Sequence, residues 1–136
     1  MFTWIGSVAL AALVSFVIGF LWYSVLFGAD YAALRPGYAG EIAARPSAVV
    51  VVMEFIRCLI VASALAYLIN RLGISTLREA LVLAVVVWGG FQVAGLVGSV
   101  LHEGYPIKLY AIHMGDALAK VAASCLIITG LTSRFA

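Results

Sequence analysis

The sequence predicts an all-α fold, a four-helix bundle that crosses a lipid bilayer. Three observations lead there. Of the 136 residues, 65% are hydrophobic and only 10% charged, whereas a water-soluble domain carries about a quarter charged residues. The apolar residues gather in runs that reach the roughly 20 residues a span requires. Between the runs lie short polar stretches that contain Pro or Gly. The chain, residues 1–136, therefore reads as a single transmembrane domain.

The first span is expected over about residues 2–27. No charge occurs from Met1 to Ala29, and no basic residue precedes the apolar stretch, so a spanning helix is expected here in place of a signal peptide. Trp22 and Tyr23 suit a membrane interface, and Gly28 is available as a C-terminal cap. Ala29 to Arg45 holds Asp30, Arg35, Pro36, Gly37, Gly40 and Glu41 and reads as a loop, with a short interfacial turn near Tyr31 and Tyr38. The second span is expected over about residues 47–70, with Pro46 at its start and Gly73 just beyond its end. Thr76 and Glu79 have capping-box spacing, which opens the third span at residues 77–101. The connection His102-Glu103-Gly104-Tyr105-Pro106 leads into the fourth, residues 107–132. The short connections after the second and third spans make the spans they join antiparallel neighbours.

The net charge of +2 is dispersed. No Lys/Arg run points to nucleic acid or to a polybasic lipid clamp. Cys58 and Cys125 fall inside apolar runs and read as small fillers; neither CxxC nor Cys/His metal spacing is present. An even number of spans puts both termini on one side, with Arg71, Arg78 and Arg134. Arg35, Arg45 and Lys108 lie on the other, so the positive-inside rule is evenly divided. Cytoplasmic termini are the expectation.

Small residues recur at every fourth position: Ser7, Ala11, Ser15 and Gly19 in the first span, Gly90, Ala94 and Gly98 in the third, Ala111, Gly115, Ala119 and Ala123 in the fourth. Such ridges let backbones approach closely, which matters in lipid because no hydrophobic force drives helices together. They serve packing within the chain or an interface between copies. For an interface, the first and third spans are the candidates, since neither has a charge to hide.

The charges inside the spans carry the most information. The second span has Glu54 and Arg57; the fourth has His113, Asp116 and Lys120. Each Asp, Lys or Arg near mid-span costs about 2.5–3.5 kcal/mol to insert, so these residues are expected to face protein or water, and one another. Counted from Ser47 and Leu109, Glu54 and Asp116 each lie seven residues in, roughly 10 Å. Arg57 and Lys120 lie deeper, and each shares a helix face with its acid. Ser124 continues the stripe. Pairing across the bundle, Glu54 with Lys120 and Arg57 with Asp116, competes with pairing within each helix. The cluster is either a fixed ion-pair network or a polar pathway for a proton, ion or small solute. Gln92 shares a face with Trp88, Gly95 and Ser99, and either bonds a neighbouring helix or lines a cavity with the charges. His102, Glu103 and His113 are weak metal candidates; no cofactor is expected. No nucleophile–base pair suggests an enzyme.

Several stretches have a familiar order and spacing. Gly19-Phe20-Leu21-Trp22-Tyr23-Ser24 with Leu26-Phe27-Gly28, then Trp88-Gly89-Gly90-Phe91, His102-Glu103-Gly104-Tyr105-Pro106 and Ile112-His113-Met114-Gly115-Asp116, resemble the family known as domain of unknown function 1761. Tyr31 stands where that pattern would place a second tryptophan. The resemblance covers almost the whole chain and implies a four-helix, multi-pass protein of the bacterial inner membrane, with no established activity. The function expected from the residues is that of a small transport or channel-like protein; the alternative is a non-catalytic accessory or structural subunit. Partners beyond the lipid bilayer would be further copies of the chain or another membrane protein.

Overall fold

The computed structural model describes residues 1–39 and 48–135. Four helices are long and apolar enough to cross a membrane: Phe2–Leu26, Ala48–Leu72, Leu77–Glu103 and Ile107–Arg134. These are the four expected spans, and the described residues contain no strand. The all-α bundle thus stands.

The helix ends follow from local chemistry. Thr76 accepts from the Glu79 backbone N–H at 3.3 Å, and the Glu79 carboxylate accepts from the Thr76 N–H at 3.1 Å, a reciprocal cap. Gly73 and Gly104 end the second and third spans in the left-handed region, at φ +66° and +70°, which costs glycine nothing. Gly28 does not act this way. The chain breaks at Phe27, with φ −123° and ψ 20°, and turns directly into a short helix, Gly28–Ala39. The loop expected from residue 29 onward is therefore helical as far as Ala39. Alanines favour helix there, and Asp30 lies in the first turn, where an acid suits the helix dipole. An ion pair from Lys108 to Asp30, 3.1 Å, ties this helix to the start of the fourth span. The rest of the expected loop, with Gly40, Glu41 and Arg45, and the expected start at Pro46 lie outside the described residues.

Two spans contain a wide turn. In Trp22–Leu26 and Trp88–Val93 the backbone bonds reach five residues back instead of four. The Phe27 N–H, for example, donates to the Trp22 carbonyl at 2.9 Å. Such turns insert an extra residue into the helix and recur at functional sites.

The fourth span is the centre of the bundle. The first packs along it, the second packs mainly on the first, and the third packs on the fourth through its opening half. The second and third spans meet only marginally. One half of the bundle is tight and apolar, built on Ala11, Ala12, Ala62, Ala66, Ala80 and Ala84 with Leu65, Ile69, Val121, Cys125 and Ile128. Small side chains let these helices close on each other. Cys58 and Cys125 are buried and free, as fillers.

The first-span ridge of Ser7, Ala11, Ser15 and Gly19 is buried within the chain. It serves internal packing and is not exposed for an interface between copies. The third span differs: beyond its wide turn none of its residues is buried. A Cβ added at Gly90, Gly95 or Gly98 would meet nothing within 4 Å.

A candidate polar site between the spans

Both wide turns are fastened to the same stretch of the fourth span. The Trp22 indole N–H donates to the Ile112 carbonyl at 2.9 Å. The Trp88 indole N–H donates to the Met114 carbonyl at 2.8 Å. From the fourth span, the Tyr110 hydroxyl donates to the Val93 carbonyl at 2.7 Å. Gly115 leaves room for the Trp22 ring: a Cβ there would fall 2.6 Å from Trp22 Cζ2. The anchors are two tryptophans and one tyrosine, each with a polar atom that finds a partner in an apolar setting.

This framework places Tyr23 over the fourth span. Its hydroxyl is hydrogen-bonded to His113 Nδ1 and donates to Asp116 Oδ2 at 3.3 Å. Tyr31 and Tyr105 bring their rings to about 6.0 Å from the His113 ring. Asp116 continues into a ladder of ion pairs. Lys120 Nζ lies 3.0 Å from Asp116 and 3.3 Å from Glu54, and Arg57 lies 3.1 Å from Glu54. Side-chain exposure climbs along it, from 7% at Asp116 and 12% at Lys120 to 34% at Glu54 and 73% at Arg57. Gly19 makes room for the ammonium, since a Cβ there would fall 2.8 Å from Lys120 Nζ. Ser15 and Ser124 share a hydrogen bond of 3.0 Å next to the cluster.

The ladder settles the pairing. Lys120 bridges the acid of its own helix and the acid of the second span. Arg57 pairs within its helix; no ion pair to Asp116 occurs among the described residues. The Asp116–Lys120 pair is buried on both sides. Arg57, expected to face protein or water, is mostly exposed at mid-span and keeps its pair with Glu54.

A cavity of about 260 Å³ lies beside the ladder, lined by Tyr23, Glu54, Gln92, His113, Asp116 and Lys120 among others. All four spans contribute to its wall. Arg57, Val61 and Leu96 at its margin are exposed, so it opens sideways between the second and third spans. Two residues that line it each have a buried oxygen without a hydrogen-bond partner among the described residues, Asp116 Oδ1 and Gln92 Oε1. Gln92 thus takes the cavity-lining alternative and does not bond a neighbouring helix through that oxygen.

His102 and Glu103 are exposed, and they do not gather with His113 into a metal-binding group among the described residues. They sit at the end of the third span. Tyr23, read from the sequence as an interfacial aromatic, is a central residue of the site. A signal for it existed: Ser7, Ala11, Ser15 and Gly19 are spaced by four, and Tyr23 is the next position on that buried stripe. The wide turns left no such signal, since an extra residue within an apolar helix changes no composition.

The segments that carried the family resemblance are those that meet here, with Gly19, Trp22, Tyr23, Trp88, His113, Gly115 and Asp116 in mutual contact or one contact removed. No curated protein and no solved structure matches the chain. A family model matches residues 7–129, and the chain belongs to that family, the proteins of unknown function designated DUF1761.

Proposed function

We propose that this protein is a small transport or channel-like membrane protein whose polar site is the cavity beside Asp116. The observation that carries this reading is Asp116: it lines a space of about 260 Å³ and has a buried carboxylate oxygen with no partner among the described residues. Buried acceptors in proteins are almost always satisfied, and an orphan calls for a missing water, ion or ligand. A water occupies about 30 Å³ of liquid, so the space admits several waters or one small solute. Ionisable groups within spans mark solute or ion paths by default. Residence in the bacterial inner membrane, with both termini cytoplasmic and several copies assembled, belongs to the same proposal.

A second reading is an accessory subunit in which the ladder is a fixed clasp. The exposed Arg57 favours it, since a partner protein covering the opening would shield that charge from lipid. The test is reconstitution of the full chain in liposomes, with thallium(I) as a monovalent-cation probe, urea and glycerol as neutral probes and a trapped pH dye for protons. Flux of any probe above protein-free vesicles, lost in Asp116→Asn, supports transport. Protein-free behaviour for every probe, with the variant destabilised, supports the clasp.

A further inference from the structure

We infer that Tyr23 is the middle station of a proton relay that joins His113 to Asp116. The inference rests on the reading of the cavity as a working polar site, and it names the proton as a species that site handles.

The geometry is specific. One hydroxyl is hydrogen-bonded to both His113 Nδ1 and Asp116 Oδ2, yet a phenol has a single proton to donate. The two bonds can therefore be made in two ways. With His113 doubly protonated and Asp116 ionised, Nδ1–H donates to the Tyr23 oxygen and the Tyr23 O–H donates to Oδ2. Moving each of these two hydrogens across its own bond gives the other arrangement. Tyr23 then donates to a bare Nδ1, and a protonated Oδ2 donates to Tyr23. One proton has passed from His113 to Asp116. His113 is left neutral with its hydrogen on Nε2, total charge is unchanged, and no heavy atom has to move.

The ends of the relay open in different directions. His113 lies one helical turn nearer the start of the fourth span, roughly 4.5 Å along its axis. Its ring is faced by Tyr105 of the preceding connection and Tyr31 of the short helix. A proton from that membrane face enters at Nε2 when the neutral ring carries its hydrogen on Nδ1; each transfer leaves the hydrogen on Nε2, and losing it to the same face while Nδ1 is reprotonated resets the ring. Asp116 lines the cavity, and its Oδ1 has no partner among the described residues; a turn of the protonated carboxyl exchanges the two oxygens and hands the proton to a water or a basic solute there. The remaining charges around the pair are Lys120, on the helix of Asp116, and Glu54 and Arg57, facing it from the second span. They set the field in which the proton moves without standing in its path.

The chain has two histidines, so His102→Gln leaves His113 as the one to observe. In that background, in lipid nanodiscs, 15N NMR reports both ring nitrogens and infrared spectroscopy reports the Asp116 carboxyl, assigned by Asp116→Asn. The relay predicts that the two groups titrate in shared steps, as strongly coupled sites do. Tyr23→Phe keeps the ring and its packing and removes only the hydroxyl; the steps should then separate. Titrations that Tyr23→Phe leaves unchanged would overturn the relay. His113→Gln supplies a second check, since it should remove the Asp116 step shared with the imidazole. A liposome pH-dye assay distinguishes the two proposals: coupled titration in a protein that carries no probe solute keeps the relay and removes the transport reading. Probe flux that survives in a protein with uncoupled titrations does the reverse.

Discussion

Lys120 sits between two carboxylates and is, among the described residues, the only cation paired with the buried Asp116, while Arg57 is 73% exposed and shares its acid with Lys120. The two cations therefore differ in weight. Breaking a buried pair leaves an uncompensated charge and typically costs about 3–5 kcal/mol. Lys120→Met should lower thermal stability by that order, and adding Asp116→Asn should recover part of it. Arg57→Gln should change little, because Glu54 keeps Lys120. Equal losses for the two single variants in thermal melts would contradict the ladder. The glycines give a second contrast. Gly115→Ala forces a methyl onto the rigid Trp22 ring and should cost about 1–3 kcal/mol, as overpacking does. Gly19→Ala instead crowds the Lys120 ammonium held between Glu54 and Asp116, so it should lower stability by weakening those ion pairs in the same melts. The pairing of Glu54, Asp116 and Lys120 was legible in the sequence because charges at equal depth in an apolar solvent need each other. The exposure of Arg57 was not, since a helix's rotation is set by neighbours that the sequence does not place.

The spans and their caps were readable from local chemistry alone: apolar runs of bilayer length, Thr76 and Glu79 at capping distance, Gly73 past the second helix. The helix Gly28–Ala39 was hidden by Pro36 and Gly37, whose weight as loop signals outran the alanines before them. The wide turns were hidden because they depend on what Trp22 and Trp88 reach on the fourth span. Removing one such anchor, Trp88→Phe, should cost about 0.5–1.5 kcal/mol for the lost hydrogen bond and disturb the cavity near Gln92. The small-residue ridges now separate by role. Ala11 is fully buried, so Ala11→Leu should destabilise the single chain by about 1–3 kcal/mol. Ala94 is exposed, so Ala94→Leu should leave chain stability unchanged and weaken association of copies, measured by energy transfer between labelled chains in bilayers. A loss of stability in Ala94→Leu would show that the third span is packed within the chain.

The molecule as a whole is divided along its length. One half is packed on alanines; the other holds Tyr23, Tyr31 and Tyr105, the ion-pair ladder and a cavity that opens between two spans with little mutual contact. A structure meant only to clasp has no need of an unsatisfied carboxylate oxygen at the wall of that space. The central claim is that Asp116 faces a working polar site. The most direct test measures flux and thermal stability side by side for the wild-type chain and Asp116→Asn in the same lipid. The substitution keeps the side chain's shape and leaves Lys120 its bond to Glu54, so the account predicts a small change in Tm with flux falling to that of protein-free vesicles. A large fall in Tm, with no flux of any probe through the wild-type protein, would contradict it.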